Sequence, residues 1–298
     1  MTDPVPVISV VVVNWNGGDL VVECLQSLHD APPSVPWQAI LVDNASHDGS
    51  VERIRRELPQ VRVIANARNL GLAAGNNQGM RASRTPFVLI SNPDVLYRRG
   101  AIDELHQLLE RRERAAFAVA KLRDPDGSLQ TSAGDLPTLG EALLGRAASR
   151  FLSRKADTRS DGAKSGFWWH GWDHETEQRI GHGGEACYLV RRSAIDDIGL
   201  QDERFVLDWE GIDWSRRAAE AGWEIWYCPQ AEVVHTGGVS IRQVRFRWVL
   251  SSHRGMYRYF QPTLPKPARP ILAAAIGARA GAKLAAAAVD ARLYDRAH

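Results

Sequence analysis

The sequence is poor in cysteine and in long apolar runs. Its 298 residues contain three cysteines, too few and too widely spaced for a disulfide framework or a cysteine zinc site. Arg279 and Lys283 interrupt the longest apolar tract, so we expect no membrane-spanning segment. The first residues also lack the basic segment that opens a secretory signal. We therefore expect a protein of a reducing, cytoplasmic compartment.

Acidic residues are scarce at the end of the sequence. Residues 241–298 contain eleven Lys or Arg against two Asp, a net charge of +9, which leaves −7 for residues 1–240 of the overall +2. An acidic body is unsuited to binding nucleic acid, whereas a basic end suits contact with anionic lipid. We therefore expect no nucleic acid partner, and we predict that residues 241–298 form a basic extension on the inner face of the cell membrane.

Strand and helix patterns alternate over the first hundred residues. The β-branched run at residues 7–13 is apolar on both faces, as is typical of a buried parallel strand. Three more strands are predicted at residues 39–42, 61–64 and 87–90, and apolar residues at helical spacing follow each strand. Four strand–helix units predict an α/β fold with a mostly parallel central sheet and helices on both faces.

Beyond residue 115 the alternation loosens. Residues 153–166 are polar and rich in glycine and charge, which predicts a surface loop. The remaining predicted elements are strands at residues 186–190 and 224–227 and helices at residues 213–221 and 269–296.

Polar side chains follow the predicted strands of the first half, at Asn14, Asp43, Asn69 and Asn92 to Asp94. In an open parallel sheet the ligand crevice lies at the carboxyl ends of the strands, so this convergence predicts a binding site. A dinucleotide site would need a Gly-x-Gly-x-x-Gly pattern. The glycines here are spaced by four instead, at Gly71, Gly75 and Gly79.

Seven motifs occur in order between about residues 7 and 240. They read SVVVVNWN (9–16), LVDNASHDGS (41–50), NLGLAAGNN (69–77), SNPD (91–94), DERF (202–205), WEGIDW (209–214) and VHTGGVS (234–240). In this order the chain resembles inverting glycosyltransferases of family 2, and within them the rhamnosyltransferase-like branch. The resemblance implies a Rossmann-like GT-A fold over residues 1–240, with a nucleotide-sugar half at 1–95, an acceptor half at 96–240 and a mostly helical extension at 241–298.

The resemblance places the donor sugar nucleotide in the first half of the chain. Asp43 would accept a hydrogen bond from the imide N–H of uracil or thymine, although it could instead cap the turn that follows it. Trp15 would lie against the base or the ribose. Arg68 and Asn69, ahead of Gly71 at the start of a helix, would meet the diphosphate, although the segment could instead be a helix start that simply needs small residues. The remaining members of the implied donor site are Asn14, Asn76 and Asn92.

A divalent metal is implied near the leaving diphosphate. Asn92-Pro93-Asp94 resembles the family's Asp-x-Asp motif with Asn in the first place, which makes Asp94 the first ligand for Mg²⁺ or Mn²⁺. His235 matches the family's histidine that completes the metal sphere. The alternatives are a simple turn at residues 92–94 and a structural histidine.

A base for the acceptor hydroxyl is expected where a helix begins near residue 210. The family's usual base is the second member of an acidic pair, and this sequence has Gly211 in its place. Glu210 is the first substitute, with Asp208 and Asp213 as further candidates. Asp213 could instead pair with nearby arginines, and Asp208 could cap the helix.

The acceptor side is predicted from two segments. Glu185 stands where relatives carry a Gly-Ala-Cys segment, and it would contact acceptor hydroxyls. From Arg242 to Tyr259 arginines alternate with aromatic rings, which together with Phe260 match a membrane interface presenting a polyprenyl-linked acceptor. The same mixture would also suit single-stranded nucleic acid or a homodimer face.

The resemblance implies an enzyme that transfers a hexose, with rhamnose as the first choice, from a dTDP- or UDP-sugar. The expected acceptor is a glycan or a lipid-linked glycan, and the expected outcome is inversion of the anomeric centre. The alternative, which Gly211 motivates, is a non-catalytic sugar-nucleotide-binding or scaffold protein of the same fold.

Overall fold

The computed structural model describes residues 5–141, 143, 167–169, 171–206, 208–237 and 245–297, the side chains of residues 245–246 and 286–297 excepted. The surface loop predicted at residues 153–166 lies outside this part of the chain. The strands are β1 (Ile8–Asn14), β2 (Trp37–Asp43), β3 (Arg62–Ala65), β4 (Phe87–Ser91), β5 (Val95–Tyr97), β6 (Ala115–Arg123), β7 (Leu129–Gln130), β8 (Ala133–Gly134), β9 (Gln178–Ile180), β10 (His182–Gly183), β11 (Cys187–Arg191) and β12 (Glu224–His235).

Helices flank these strands and complete the chain. They are α1 (Gly18–Asp30), α2 (Ser50–Glu57), α3 (Leu72–Ala82), α4 (Ala101–Arg111), α5 (Arg192–Ile198), α6 (Glu210–Glu220), α7 (Arg245–Phe260) and α8 (Arg269–Ala297). Two short 3-10 turns, Gln261–Thr263 and Lys266–Ala268, connect α7 to α8. The helix predicted at residues 269–296 is confirmed.

The central sheet has the strand order β3-β2-β1-β4-β11-β6-β12-β5, with β7 beside β6 and β9 beside β12. β1, β2, β3, β4, β6 and β12 run in one direction, and β5 and β11 run against them. The predicted α/β fold with a mostly parallel sheet is confirmed. The carboxyl ends of β1, β2, β4 and β12 therefore share one edge.

Helix α3 lies close against β1, whose seven residues are all buried. A Cβ atom at Gly79 would lie 2.2 Å from Cγ1 of Val11, and one at Gly75 would lie 2.8 Å from Cγ1 of Val13. Real Cβ atoms do not approach other carbons so closely, so only glycine allows this contact. The four-residue glycine spacing therefore serves helix–strand packing.

The C-terminal helices pack on the segment that leads into α6. An apolar cluster joins Phe205, Trp209 and Ile212 to Met256, Tyr259, Phe260, Leu272 and Ile276. The interpretation of Tyr259 and Phe260 as membrane-interface rings is wrong, because both are buried against Trp209. No helix in the described part of the chain is long and apolar enough to cross a membrane. The domain boundary at residue 240 stays a prediction, since residues 238–244 are not described.

Several elements differ from the sequence expectation, among them β6, β12 and α6. β6 is a nine-residue strand in the region where the pattern loosened, because its run of alanines is poor in the β-branched residues that mark strands. β12 continues past residue 227 to His235, since an irregularity between Cys228 and Glu232 accommodates Pro229 and lets the pairing with β6 resume. Helix α6 begins at Glu210 instead of Asp213.

Candidate active site

The candidate site lies along the shared edge of the sheet. Asn14 and Asp43 end β1 and β2 and face each other in the parallel ladder. β1 alone separates β2 from β4, so Asp43 and the segment after β4 are about 10 Å apart across the sheet. β11 runs antiparallel to β4, and the residues before it therefore enter at the same edge. The fold thus brings the predicted donor and metal residues to one side of the molecule.

Asp43 is buried in a network of hydrogen bonds. Asn14 Nδ2 donates to Asp43 Oδ1 at 2.9 Å, and Ser46 Oγ donates to the same oxygen at 2.6 Å. The Ser46 N–H donates to Oδ2 at 3.0 Å, so Asp43 does cap the turn that follows it. These bonds fix the carboxylate at the strand end, where its remaining lone pairs can accept a hydrogen bond from a ligand.

The other predicted donor residues lie at the start of α3 and after β1. Trp15 is half-buried, whereas Arg68 and Asn69 are exposed. Asn69 Oδ1 accepts the Gly71 N–H at 2.9 Å and thereby shapes the turn into α3. Asn76 differs from these residues, because it is buried inside α3 and donates to Gln201 Oε1 at 3.0 Å, which ties α3 to the loop before α6.

Asp94 and His235 form the predicted metal pair. Asp94 Oδ1 lies 3.3 Å from His235 Nε2, and Asn92 Nδ2 lies 3.4 Å from the same nitrogen. On the far side of the ring, His235 Nδ1 lies 2.9 Å from Gln130 Oε1. Because this amide oxygen can only accept, Nδ1 donates a proton to it, and Nε2 faces Asp94 and Asn92.

This donor set fits a hard divalent cation with few protein ligands. Carboxylate oxygen and imidazole nitrogen are both ligands of Mn²⁺, and a histidine oriented by a hydrogen bond at its other nitrogen is the usual arrangement in metal sites. The described residues contain no cluster of three or more His, Cys, Asp or Glu ligands. Asp94 and His235 would therefore need further ligands from the substrate or from water. Sequence reasoning missed Gln130, which lies on the short strand β7 and carries no motif.

Buried carboxylates gather where α6 begins. Glu210 is fully buried, and neither of its oxygens has a hydrogen-bond partner within the described part of the chain. Burial, followed by the charge of Glu185, raises the pKa of Glu210 well above its usual range. Burial also raises the pKa of Asp208, although hydrogen bonds from Ser252 Oγ and the Trp209 N–H oppose this effect.

The alternative roles of Asp208 and Asp213 have different outcomes. Asp213 Oδ1 and Oδ2 lie 2.7 Å from Arg216 and 2.9 Å from Arg217, so the predicted arginine pairing is present. Asp208 does not cap α6. The N-cap residue is Trp209, in the left-handed region at φ 77°, and its own side chain makes no capping hydrogen bond to the described part of the chain.

Glu185 completes the group of carboxylates. Its Oε1 accepts the Gly211 N–H at 3.0 Å, which brings it to the first turn of α6. Burial and the charge of Asp208 raise the pKa of Glu185 to about 8. The sequence placed Glu185 on the acceptor side but missed its contact with α6. The available signal was the pair of departures from the family pattern, a carboxylate at residue 185 and a glycine at residue 211.

The family model described as "Glycosyl transferase family 2" matches residues 9–199. The chain belongs to glycosyltransferase family 2. This family 2 glycosyltransferase is 30% identical over 272 residues to the N-acetylglucosaminyl-diphospho-decaprenol L-rhamnosyltransferase of Mycobacterium tuberculosis, across 86% of this chain and 84% of the relative. It is 22% identical to the low-salt glycan biosynthesis hexosyltransferase Agl10 of Haloferax volcanii, across 80% of this chain and 69% of that protein.

Solved structures of other glycosyltransferases have the same fold. The mannosyltransferase PcManGT from Pyrobaculum calidifontis, in complex with GDP-Man and Mn²⁺, matches 96% of this chain and 76% of its own at a TM-score of 0.58 and 17% identity. GalNAc-T7 with UDP, GalNAc and Mn²⁺ matches 87% of this chain and 48% of its own at a TM-score of 0.58 and 14% identity. The GT-A fold predicted for this family 2 glycosyltransferase is therefore confirmed.

Proposed function

We propose that this glycosyltransferase moves a rhamnosyl or another hexosyl group from a dTDP- or UDP-sugar to a glycan or polyprenyl-linked acceptor. The reaction inverts the anomeric centre and uses Mg²⁺ or Mn²⁺. One observation carries the proposal: a buried carboxylate, Asp43, and an oriented carboxylate–imidazole pair, Asp94 and His235, share one edge of the sheet. The similarity to a rhamnosyltransferase with a decaprenol-linked acceptor supports the choice of sugar and acceptor.

The donor would lie across the strand ends. Asp43 accepts the imide N–H of the pyrimidine, while Asn14 and Ser46 keep its carboxylate in place. The distance of about 10 Å from Asp43 to the segment after β4 leaves room for a ribose between base and diphosphate. Asn44, the residue after Asp43, donates to the Gly71 carbonyl at 3.1 Å, so the segment that leads into α3 begins beside Asp43. Arg68 and Asn69 of this segment would meet the diphosphate.

Asp94 and His235 would hold the divalent ion. When bound, such an ion neutralises charge that develops on a leaving diphosphate. Gln130 keeps the His235 ring in the tautomer that offers Nε2 as a ligand. Asn92, next to the same nitrogen, adds an amide that can hydrogen-bond either the ring or the substrate.

The C-terminal helices would meet the membrane that carries the acceptor. α7 exposes Arg247, Leu250 and Arg254, which lie on one stripe of the helix, and Ile271 is exposed at the start of α8. Arginine beside exposed apolar side chains suits an anionic lipid surface. We therefore propose a cytoplasmic protein that is peripheral on the inner face of the cell membrane.

The full-length protein tests this function directly. It would be incubated with Mn²⁺ or Mg²⁺, with dTDP-rhamnose or UDP-sugars, and with an N-acetylglucosaminyl-diphospho-polyprenol acceptor. We expect nucleoside diphosphate to be released only when metal and acceptor are both present, and Asp43→Ala to weaken nucleotide binding. Tight nucleotide binding without release under all of these conditions would favour the non-catalytic alternative.

A further inference from the structure

The first turn of α6 has no room for a side chain at position 211. A Cβ atom there would lie 2.5 Å from Cδ of Glu185 and 2.7 Å from its Cγ and Oε1. The Glu185 carboxylate therefore occupies the place where a side chain at residue 211 would begin. The Gly211 N–H holds it there through a hydrogen bond of 3.0 Å to Oε1.

The main chain brings Glu185 next to the proposed metal ligands. The carbonyl of Ala186, the following residue, accepts the Asn92 N–H at 2.8 Å. β11 then pairs with β4 from Cys187 onward. Glu185 therefore enters the site at the level of the segment Asn92–Asp94, on the edge that would receive the diphosphate of the donor.

The other three carboxylates at the start of α6 either already accept hydrogen bonds or ion pairs, or are too buried for a substrate to reach. Both oxygens of Asp213 pair with arginines, and both oxygens of Asp208 accept hydrogen bonds, one of them from Ser252. Glu210 has no exposed surface, so an acceptor hydroxyl cannot reach it without a rearrangement. Glu185 is only partly buried, and no cation pairs with it among the described residues. It is the carboxylate best placed to meet a substrate.

We propose that Glu185 is the base that takes the proton of the acceptor hydroxyl, and that Gly211 leaves the space in which its carboxylate lies. The proposal rests on the transferase function proposed above. The acceptor O–H bond breaks and its proton passes to a carboxylate oxygen of Glu185, while the hydroxyl oxygen forms a bond to C1 of the sugar. The bond from C1 to the diphosphate oxygen breaks, and its electron pair leaves with the nucleoside diphosphate.

The surroundings of Glu185 suit this role. Burial raises the pKa of its carboxyl to about 8, so the ionised form is a stronger base than an exposed glutamate. Only the ionised form can accept the proton. The transfer rate should therefore rise with pH through the range in which Glu185 ionises.

The first test is Glu185→Gln, which keeps the size of the side chain and an oxygen for the Gly211 N–H. We expect kcat to fall about 10²- to 10⁴-fold and the rise of rate with pH to disappear, while dTDP and Mn²⁺ still bind. Glu220→Gln, at the exposed end of α6, is the matched control. A Glu185→Gln enzyme with the kcat and pH profile of the wild type would overturn the proposal.

The second test is a double-mutant cycle at residues 185 and 211. It examines whether the space left by Gly211 acts through the position of the Glu185 carboxylate. Gly211→Ala should displace the Glu185 carboxylate and lower kcat by at least about tenfold without weakening dTDP binding. In a Glu185→Ala background the added methyl group meets no carboxylate, and we expect it to cost little more. Equal losses in the two backgrounds would contradict the claim that Gly211 acts through Glu185.

Binding and transfer assays on the wild-type protein distinguish failure of the Glu185 proposal from failure of the proposed transferase function. If the wild type binds dTDP or UDP but transfers no sugar to the polyprenyl-linked acceptor, the transferase proposal fails and the proposal for Glu185 fails with it. If the wild type is active and both Glu185→Gln and Gly211→Ala are equally active, only the assignment of Glu185 fails. Melting temperatures of all variants show whether a loss of rate reflects misfolding.

Discussion

Asp43 and Glu210 are both buried carboxylates, yet their surroundings are opposite. Asp43 accepts hydrogen bonds from Asn14 and Ser46. Glu210 has no hydrogen-bond partner for either oxygen and stands near another acid, Glu185. Asp43, on the strand ends that form the proposed donor edge (Asn14, Asp43 and Asn92 to Asp94), is thus hydrogen-bonded before a substrate binds. In the acid cluster at α6, which comprises Glu185, Asp208 and Glu210, burial raises the pKa of each carboxyl. The difference matches recognition on one side and proton transfer on the other.

The largest effect should come from the end of the donor edge where the proposed metal ligands, Asp94 and His235, lie. Asp94→Ala removes the carboxylate that faces His235 Nε2, and we expect the transfer rate to fall by about 10³-fold because charge on the leaving group is no longer neutralised. Nucleoside diphosphate release at saturating Mn²⁺ measures this. Asp196→Ala, an exposed aspartate on α5, should leave the rate unchanged. Full activity of Asp94→Ala would remove the metal pair from the mechanism.

A smaller effect, on Mn²⁺ affinity, is expected when the His235 imidazole loses the hydrogen bond that orients it. In Gln130→Ala, His235 Nδ1 loses its acceptor, so the ring can rotate and change tautomer. We expect Mn²⁺ affinity, measured by calorimetry in the presence of dTDP, to weaken about 10- to 100-fold. Gln26→Ala, exposed on α1, is the control. Unchanged Mn²⁺ affinity would mean that the ring is held by other contacts.

The sequence predicted that the residues of the donor edge lie close together, but it predicted the arrangement of the acid cluster only in part. Asn14 and Asp43 directly end strands with strong β-branched patterns, so their convergence follows from the parallel sheet alone. The contact of Glu185 with Gly211 joins segments 26 residues apart through an antiparallel strand, and its one signal in the sequence is that both positions depart from the family pattern. Burial and hydrogen-bond partners, which decide which carboxylate is free, depend on packing that no local pattern encodes.

The acid cluster should also give the protein a distinctive pH dependence of stability. A carboxyl whose pKa is raised on folding stabilises the native state fully below its unfolded pKa, and this contribution is lost as pH rises through the folded pKa. Because the pKa of Glu210 is raised by burial, we expect the melting temperature to fall as pH rises above about 4.5, the ordinary value for a glutamate.

Glu210→Gln places a neutral group at the same site and should flatten that decline by a few degrees. About 1 kcal/mol corresponds to about 2–4 °C in melting temperature for a protein of roughly this size. Glu220→Gln, exposed on the same helix, should keep the slope of the wild type. The measurement is a thermal unfolding series in matched buffers, and an identical slope in Glu210→Gln would argue against a neutral, buried Glu210.

The smallest effect concerns the helices that pack on the acid cluster from outside. Ser252 of α7 donates to Asp208 at 2.7 Å, so a membrane contact through the outer face of α7 would lie close to the acceptor side. Arg247→Glu and Arg254→Glu should each weaken binding to vesicles with anionic lipid about fivefold or more at low salt, because each basic residue near the surface contributes about 1 kcal/mol. Arg55→Glu, exposed on α2, changes charge equally and should have little effect. Equal losses for all three variants would mean that net charge, and not the exposed stripe of α7, governs the membrane contact.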